Sequence, residues 1–376
     1  MRPAAFAVSL AVSVIPSGPA YAWTIDTFGA DPCHERLTLG ALDDAPEVVA
    51  AMVARVRATS VPVNEAAQSF VKQIVEEFSL QDRTPAEQFV LASFVAGARE
   101  PDTRGFSLAR LPEARETHLV DGEQASHTLR TSVEDGPAGD LAAIADARGG
   151  IHQLVAAAGV QWAQSDPRVE ARWDLSYYGT VTVQMFGPAY LLGEAMHGVE
   201  DAYAHVLRDA DGRIVAVLNY VDPIQHASLY VESRDSLAHS DRLDECVTTA
   251  SGAGGANGDD AGLARDAERF DRARAATAAF IRAALTAVTD AQAPAPPEPG
   301  VIDAVLDEVF AYHAGCNLEN KYCDSADYPI ALEGLSKPYS ACVCSLRGDA
   351  SASPWLVALL GLGLVTRGRR WAGRRP

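Results

Sequence analysis

The stretch PAYLLGEAMHGVEDAYAHVLRD, from Pro188 to Asp209, decides how the chain is read. Its apolar residues recur at helical spacing, and at ~100° per residue a helix turns only ~40° out of register over four residues and ~80° over eight. His197, Asp201 and His205, at i, i+4 and i+8, therefore project from one face about one turn apart. Two imidazoles and a carboxylate aligned in this way are a donor set for a metal ion. The same triplet also suits the polar side of an amphipathic helix, its histidines satisfied by hydrogen bonds. The rest of the chain has to decide between these.

Outward from that helix, most of the sequence between Asp43 and Leu285 carries apolar residues at i, i+3, i+4 and i+7, as in EAAQSFVKQIVEEF from Glu65, PAEQFVLASFVAGA from Pro85 and ERFDRARAATAAFIRAALTAV from Glu268. Asn64 and Thr84-Pro85 are helix starts. Two pieces, Tyr177 to Phe186 and Arg213 to Val221, alternate like strands, and SGAGGANGDDAG from Ser251 is a flexible loop. The expected fold is mainly α, a multi-helix domain over 23–290. Residues 291–300 form a proline-rich linker, 301–345 a small cysteine-rich segment and 346–376 a C-terminal segment with a short apolar helix and an arginine-rich tail.

The two ends point out of the cytoplasm. Residues 1–22 have a basic start, an apolar run from Ala4 to Ile15 and the small-x-small signal Ala20-Tyr21-Ala22, which predicts a secretory signal peptide cut to leave Trp23 at the mature terminus. The apolar run from Pro354 is about a dozen residues, short of the ~20 a spanning helix needs, so a transient membrane association is expected rather than a permanent anchor. Its order of Cys342-Val343-Cys344, linker, apolar segment and arginine cluster resembles bacterial sorting signals of the MYXO-CTERM type. That resemblance implies C-terminal processing and sorting machinery as a partner, and display at the cell surface. Six cysteines suit an oxidising location. A Cys33–Cys246 bridge would pin the start of the mature chain beside the His239 segment, but spacing alone leaves the pairing open.

At 376 residues and 48% hydrophobic composition the chain is long enough for one large domain and an appendage, and its formal charge of −19 argues against a tight polyanion binder. An enzyme that grips phosphate through metal is not excluded. In order along the chain come Trp23, His34 in CHERLT, Asp102 in GAREPDTRG, His118 in THLVD, the His197/Asp201/His205 helix, and His239 in AHSDRLDE.

This series resembles the zinc-dependent phospholipase C and fungal single-strand nuclease superfamily, over roughly Trp23 to Asp244. The resemblance implies a helical, exported enzyme with two or three Zn2+ ions. Asp102, His118, His197 and Asp201 would hold one. Asp201 would bridge to a second, held by the Trp23 terminus and His34, and His205, His239 and a carboxylate would hold a third. Asp244 is the chosen carboxylate, with Asp241 and Glu245 as alternatives; if none reaches, the cluster has two ions. Asp102 would also activate the attacking water. His127, His152, His226 and His313 have no matching context and are taken as structural or exposed. The expected function is metal-assisted hydrolysis of a phosphodiester, phospholipid or nucleic acid. The competing expectation is a surface-displayed metal-binding protein without catalysis. Trp162, Trp173, Tyr177 and Tyr178 are available to stack a base or line a lipid groove, and equally to fill the core.

Overall fold

The computed structural model describes residues 33–59, 64–105, 121–131, 133–175, 179–219, 237, 260–290, 300–329 and 331. They form a mainly α structure: α1 (Cys33–Asp44), α2 (Pro46–Thr59), α3 (Glu65–Glu77), α4 (Pro85–Thr103), a 3-10 helix (Asp121–His127), α5 (Gly136–Ala163), the hairpin β1 (Arg168–Leu175) and β2 (Gly179–Phe186), α6 (Gly187–Ala204), β3 (Val206–Arg208), β4 (Ile214–Val217), α7 (Asp260–Asp290) and α8 (Gly300–Val309).

The helix starts follow from local chemistry. Asn64 Oδ1 accepts the Ala67 amide at 2.8 Å, and Thr84 with Glu87 forms a capping box ahead of Pro85. Asp135 accepts the Gly136 amide at 2.9 Å. The hairpin pairs antiparallel from Arg168↔Phe186 to Leu175↔Gly179, and β2 runs directly into α6.

α6 is the axis of the fold, and nearly every residue on it is buried. It is packed by α4, α5 and α7, so it is not the amphipathic surface helix that its three polar residues suggest. Its crossing with α4 is very close. A Cβ on Gly97 would lie 1.9 Å from the Tyr190 carbonyl oxygen, and one on Gly193 would lie 2.3 Å from that of Phe94. Only glycine lets the two backbones approach this closely, which brings the end of α4 beside the middle of α6.

The helix ends at Ala204, so His205, expected on it, lies just past its last turn. His205 is the C-cap, at φ −105° and ψ 21°, and the chain turns at once into β3. The turn is set by sheet bonding: the His205 amide still donates to Asp201 O at 2.9 Å, while its carbonyl accepts the Leu218 amide at 2.9 Å.

α8 packs into the same apolar cluster as α5, α6 and α7 through Leu306, Val309 and Phe310. Cys316 and Cys323 are disulfide-bonded. Trp162 and Trp173 are core residues, 8% and 6% exposed; Tyr177 and Tyr178 fall outside the described residues, as do 1–32, the proline run and the C-terminal segment. No described helix is long and apolar enough to cross a membrane.

Candidate metal centre

Four elements converge on one buried point. α1 supplies His34, the last turn of α4 supplies Asp102, the end of the 3-10 helix supplies His127, and α6 supplies His197 and Asp201. The side chains of His34, His127, His197 and Asp201 are at most 2% exposed, whereas Asp102 is 15% exposed and forms the solvent side.

Backbone acceptors and a neighbouring acid fix the ring orientations. A carbonyl oxygen can only accept, so the 2.9 Å contact of His197 Nδ1 with Ala98 O puts the proton on Nδ1 and turns the Nε2 lone pair inward. That Nε2 lies 2.9 Å from Asp201 Oδ2 and 3.7 Å from Asp102 Oδ1. His34 Nδ1 donates to Glu200 Oε2 at 2.8 Å, and Thr38 Oγ1 donates to Glu200 Oε1 at 2.9 Å. Its Nε2 then faces Asp201 Oδ1 at 3.3 Å and Asp102 Oδ2 at 4.0 Å. His127 Nδ1 sits 3.2 Å from Asp201 Oδ2, 3.2 Å from His197 Nε2 and 3.5 Å from Asp102 Oδ1.

Imidazole lone pairs and carboxylate oxygens thus point at one another with no fixed cation between them. Asp201 Oδ1, fully buried, has no donor in hydrogen-bonding geometry. Such a cluster is costly unless the imidazoles take up protons or a metal ion supplies the positive charge. Without metal, protons respond. Burial lowers the His34 pKa, but Asp201, Glu200 and Asp102 outweigh it and hold the ring well above the ordinary histidine range. Burial likewise opposes ionisation of Asp201, and His197, His205 and His34 overcome it and keep the carboxyl well below its usual value. Burial pushes Glu200 upward, with His34 working against it.

The donor atoms suit a transition metal, since imidazole nitrogen with carboxylate oxygen is a zinc-like set, whereas calcium and magnesium take oxygen alone. Two overlapping groups that share His197 could hold an ion: His34, His197 and Asp201, or Asp102, His127 and His197, the ligand atoms of each lying within 4.8 Å of one another. Glu200 behind His34 and the Ala98 carbonyl behind His197 would orient those rings toward a bound ion.

Of the residues singled out in the sequence, His34, Asp102, His197 and Asp201 come together. His205 is adjacent, with Nδ1 3.7 Å from Asp201 Oδ2, but that nitrogen donates to His127 O at 2.6 Å. Trp23, His118, His239 and Asp244 lie outside the described residues, as do Asp241 and Glu245.

His127 corrects the sequence reading, which set it aside as structural or exposed. It is 1% exposed and belongs to one of the groups that could hold a metal ion. Glu200, one residue before Asp201, was also missed. The local signal for His127 was slight: Thr128 after it takes a positive φ of 50° and its hydroxyl donates to Gly198 O at 3.1 Å, tying the turn to α6. A Glu preceding a ligand Asp on a buried helix was the available sign for Glu200.

His313 lies near Cys316 and Cys323, but the disulfide removes both thiolates as ligands, and His313 Nδ1 is paired with Asp209 Oδ2 at 2.7 Å. Cys33, next to His34, is also disulfide-bonded, and Cys246, its expected partner, is outside the described residues.

Beside the centre lies a cleft of about 640 Å³ between the 3-10 helix, α5 and α6. Its wall includes Pro101, Ser126 and Gly198, the chain neighbours of Asp102, His127 and His197. Glu194 also lines it. Burial, with Glu100 close by, pushes the Glu194 carboxyl up to about 8, and burial lifts Glu100 to about 7, while Tyr190 hydrogen-bonds both. No protein-family model matches this sequence, and neither does any curated protein or solved structure.

Proposed function

We propose that this chain is an exported, surface-displayed zinc-dependent phosphodiesterase. The observation that supports it most is the split role of Asp201: Oδ1 faces His34 Nε2 at 3.3 Å, while Oδ2 faces His197 Nε2 at 2.9 Å and His127 Nδ1 at 3.2 Å. A carboxylate between His34 on one side and His127 with His197 on the other would suit a pair of metal ions. Bound there, such ions act as Lewis acids toward a phosphoryl oxygen and lower the pKa of water to about 7.

The protein's own contributions follow from position. His34, His127 and His197 are held with one nitrogen inward, and buried Asp201 leaves little room for solvent on its side. Asp102, the exposed member, is placed to orient water at the open edge and to take its proton as phosphorus is attacked. Glu200 and Thr38 keep His34 in the required tautomer. Export, sorting at the C-terminus, and a phospholipid or nucleic-acid substrate belong to this same reading.

The deciding experiment is metal content by mass spectrometry on the mature chain from a secretory host, with N-terminal sequencing and hydrolysis of bis(p-nitrophenyl) phosphate on the same sample. Two or three zinc ions, Trp23 at the terminus and turnover lost on chelation are expected. A folded, metal-free chain would end this reading and leave a surface-displayed binding protein.

A further inference from the structure

Resting on the phosphodiesterase reading, we propose that the cleft between the 3-10 helix, α5 and α6 receives the leaving group of the diester and that Glu194 is the acid that protonates it. The inference starts from placement. Glu194 is on α6, three residues and just under one turn before His197, so the two side chains lie on neighbouring strips of one helix. His197 points at the metal centre and Glu194 opens into the cleft. The same cleft touches the chain neighbours of Asp102, His127 and His197, which sets it beside the centre.

The chemistry gives that carboxyl a task. When water attacks phosphorus, the bond from phosphorus to the leaving oxygen breaks, and an alkoxide leaves poorly without a proton. Glu194 donates the proton to that oxygen and becomes a carboxylate; the attacking water gives its own proton to Asp102. One proton is lost and one is gained, and exchange with solvent resets both groups. An acid for this role has to hold its proton at neutral pH, and the surroundings of Glu194 favour that. Glu100 on α4 and Tyr190 on α6 face it, and Asp146 and Glu134 share the cleft wall. No lysine, arginine or histidine lines that wall among the described residues. Arg104 and Arg172 act on Glu100.

The test uses the zinc-loaded full chain and two diesters of nearly the same shape, methyl p-nitrophenyl phosphate, whose phenolate leaves unaided, and methyl phenyl phosphate, whose leaving group needs the proton more. For Glu194→Gln the rate on the phenyl ester relative to the p-nitrophenyl ester should fall about tenfold or more, within the range general acids contribute. Bound zinc should be retained. Infrared spectra of the metal-free chain at neutral pH supply a readout independent of turnover: a protonated-carboxyl band should lose intensity in the same variant. Equal losses on both esters, or an unchanged band, overturn the assignment while leaving the phosphodiesterase reading standing. If the zinc-loaded wild type hydrolyses neither ester, the phosphodiesterase reading itself fails and takes this assignment with it.

Discussion

α1 and α4 meet at two buried polar clusters that differ in one respect. At the first, Glu35 pairs with Arg99, which also pairs with Glu77 and lies over the Trp173 ring at 5.6 Å. At the second, one residue back on α1 and three residues on along α4, His34 and Asp102 join His127, His197 and Asp201. Arg99 brings its own fixed positive charge to the first cluster, and despite burial its carboxylate partners hold its pKa above normal. The second cluster contains only carboxylates and titratable rings. The first is closed by the chain, and the second is completed by protons or a metal.

The largest expected effect comes from breaking the closed cluster. Arg99→Met leaves Glu35, 0% exposed, without its cation. Removing one partner of a buried pair costs about 3–5 kcal/mol, so urea unfolding should show a loss of that size, the same with metal and without it. A loss that vanished on adding zinc would mean the two clusters are not independent.

Next is the metal itself. If the open cluster binds zinc only when folded, chelation should lower stability by about 3 kcal/mol for each ion removed when the free metal is near 100 times its dissociation constant. Asp201→Asn should remove that increment and abolish hydrolysis. In the metal-free chain the same substitution should cost far less than Arg99→Met, because its histidines can simply remain neutral. Equal costs in the metal-free state would erase the contrast between the clusters.

The carboxyl pair Glu100 and Glu194 gives an effect set by pH. Both have folded pKa values raised by burial, to about 7 and about 8. The unfolded chain gives up these protons near the ordinary carboxylate range while the folded chain keeps them. Their contribution is therefore fully present below that range and is lost as pH rises through 8, by about 1.4 kcal/mol for each pH unit over which the folded chain alone keeps a proton. Denaturant midpoints of the metal-free protein from pH 5 to 9 should fall, and Glu194→Gln should flatten the fall. A flat wild-type profile would show that these acids ionise freely.

The contrast also explains what the sequence could reveal. The helical class was legible because amphipathic spacing over α3, α4 and α7 reports local burial, and Asn64 and Thr84-Pro85 mark their starts. α6 was legible as a helix, and of the two readings open for its polar residues the amphipathic one fails, since they face a buried centre and not water. His34, Asp102, His197 and Asp201 were singled out by a resemblance in their order along the chain, and they come together in the fold. His127 was not, because it comes from a 3-10 helix with no periodic pattern and is placed by its turn's bonding to α6. The Arg99 cluster was illegible for a similar reason. Glu35, Glu77 and Arg99 stand far apart in the chain, and only the packing of three helices brings them together.

The smallest predicted effect separates a ligand from the residue behind it. Glu200 touches no inward-facing nitrogen; it accepts from His34 Nδ1 at 2.8 Å and from Thr38 at 2.9 Å, and is 0% exposed. Glu200→Gln keeps the shape and can still accept through its amide oxygen, but loses the charge that makes His34 the better donor to metal. Such changes lower metal affinity about 10- to 100-fold, which competition with a chelator of known affinity would measure. His34→Ala should abolish binding at its site. If Glu200→Gln bound zinc as the wild type does, the carboxylate would be serving only α1–α6 packing, as Glu35 and Glu77 serve the packing around Arg99, and the open cluster would begin at His34.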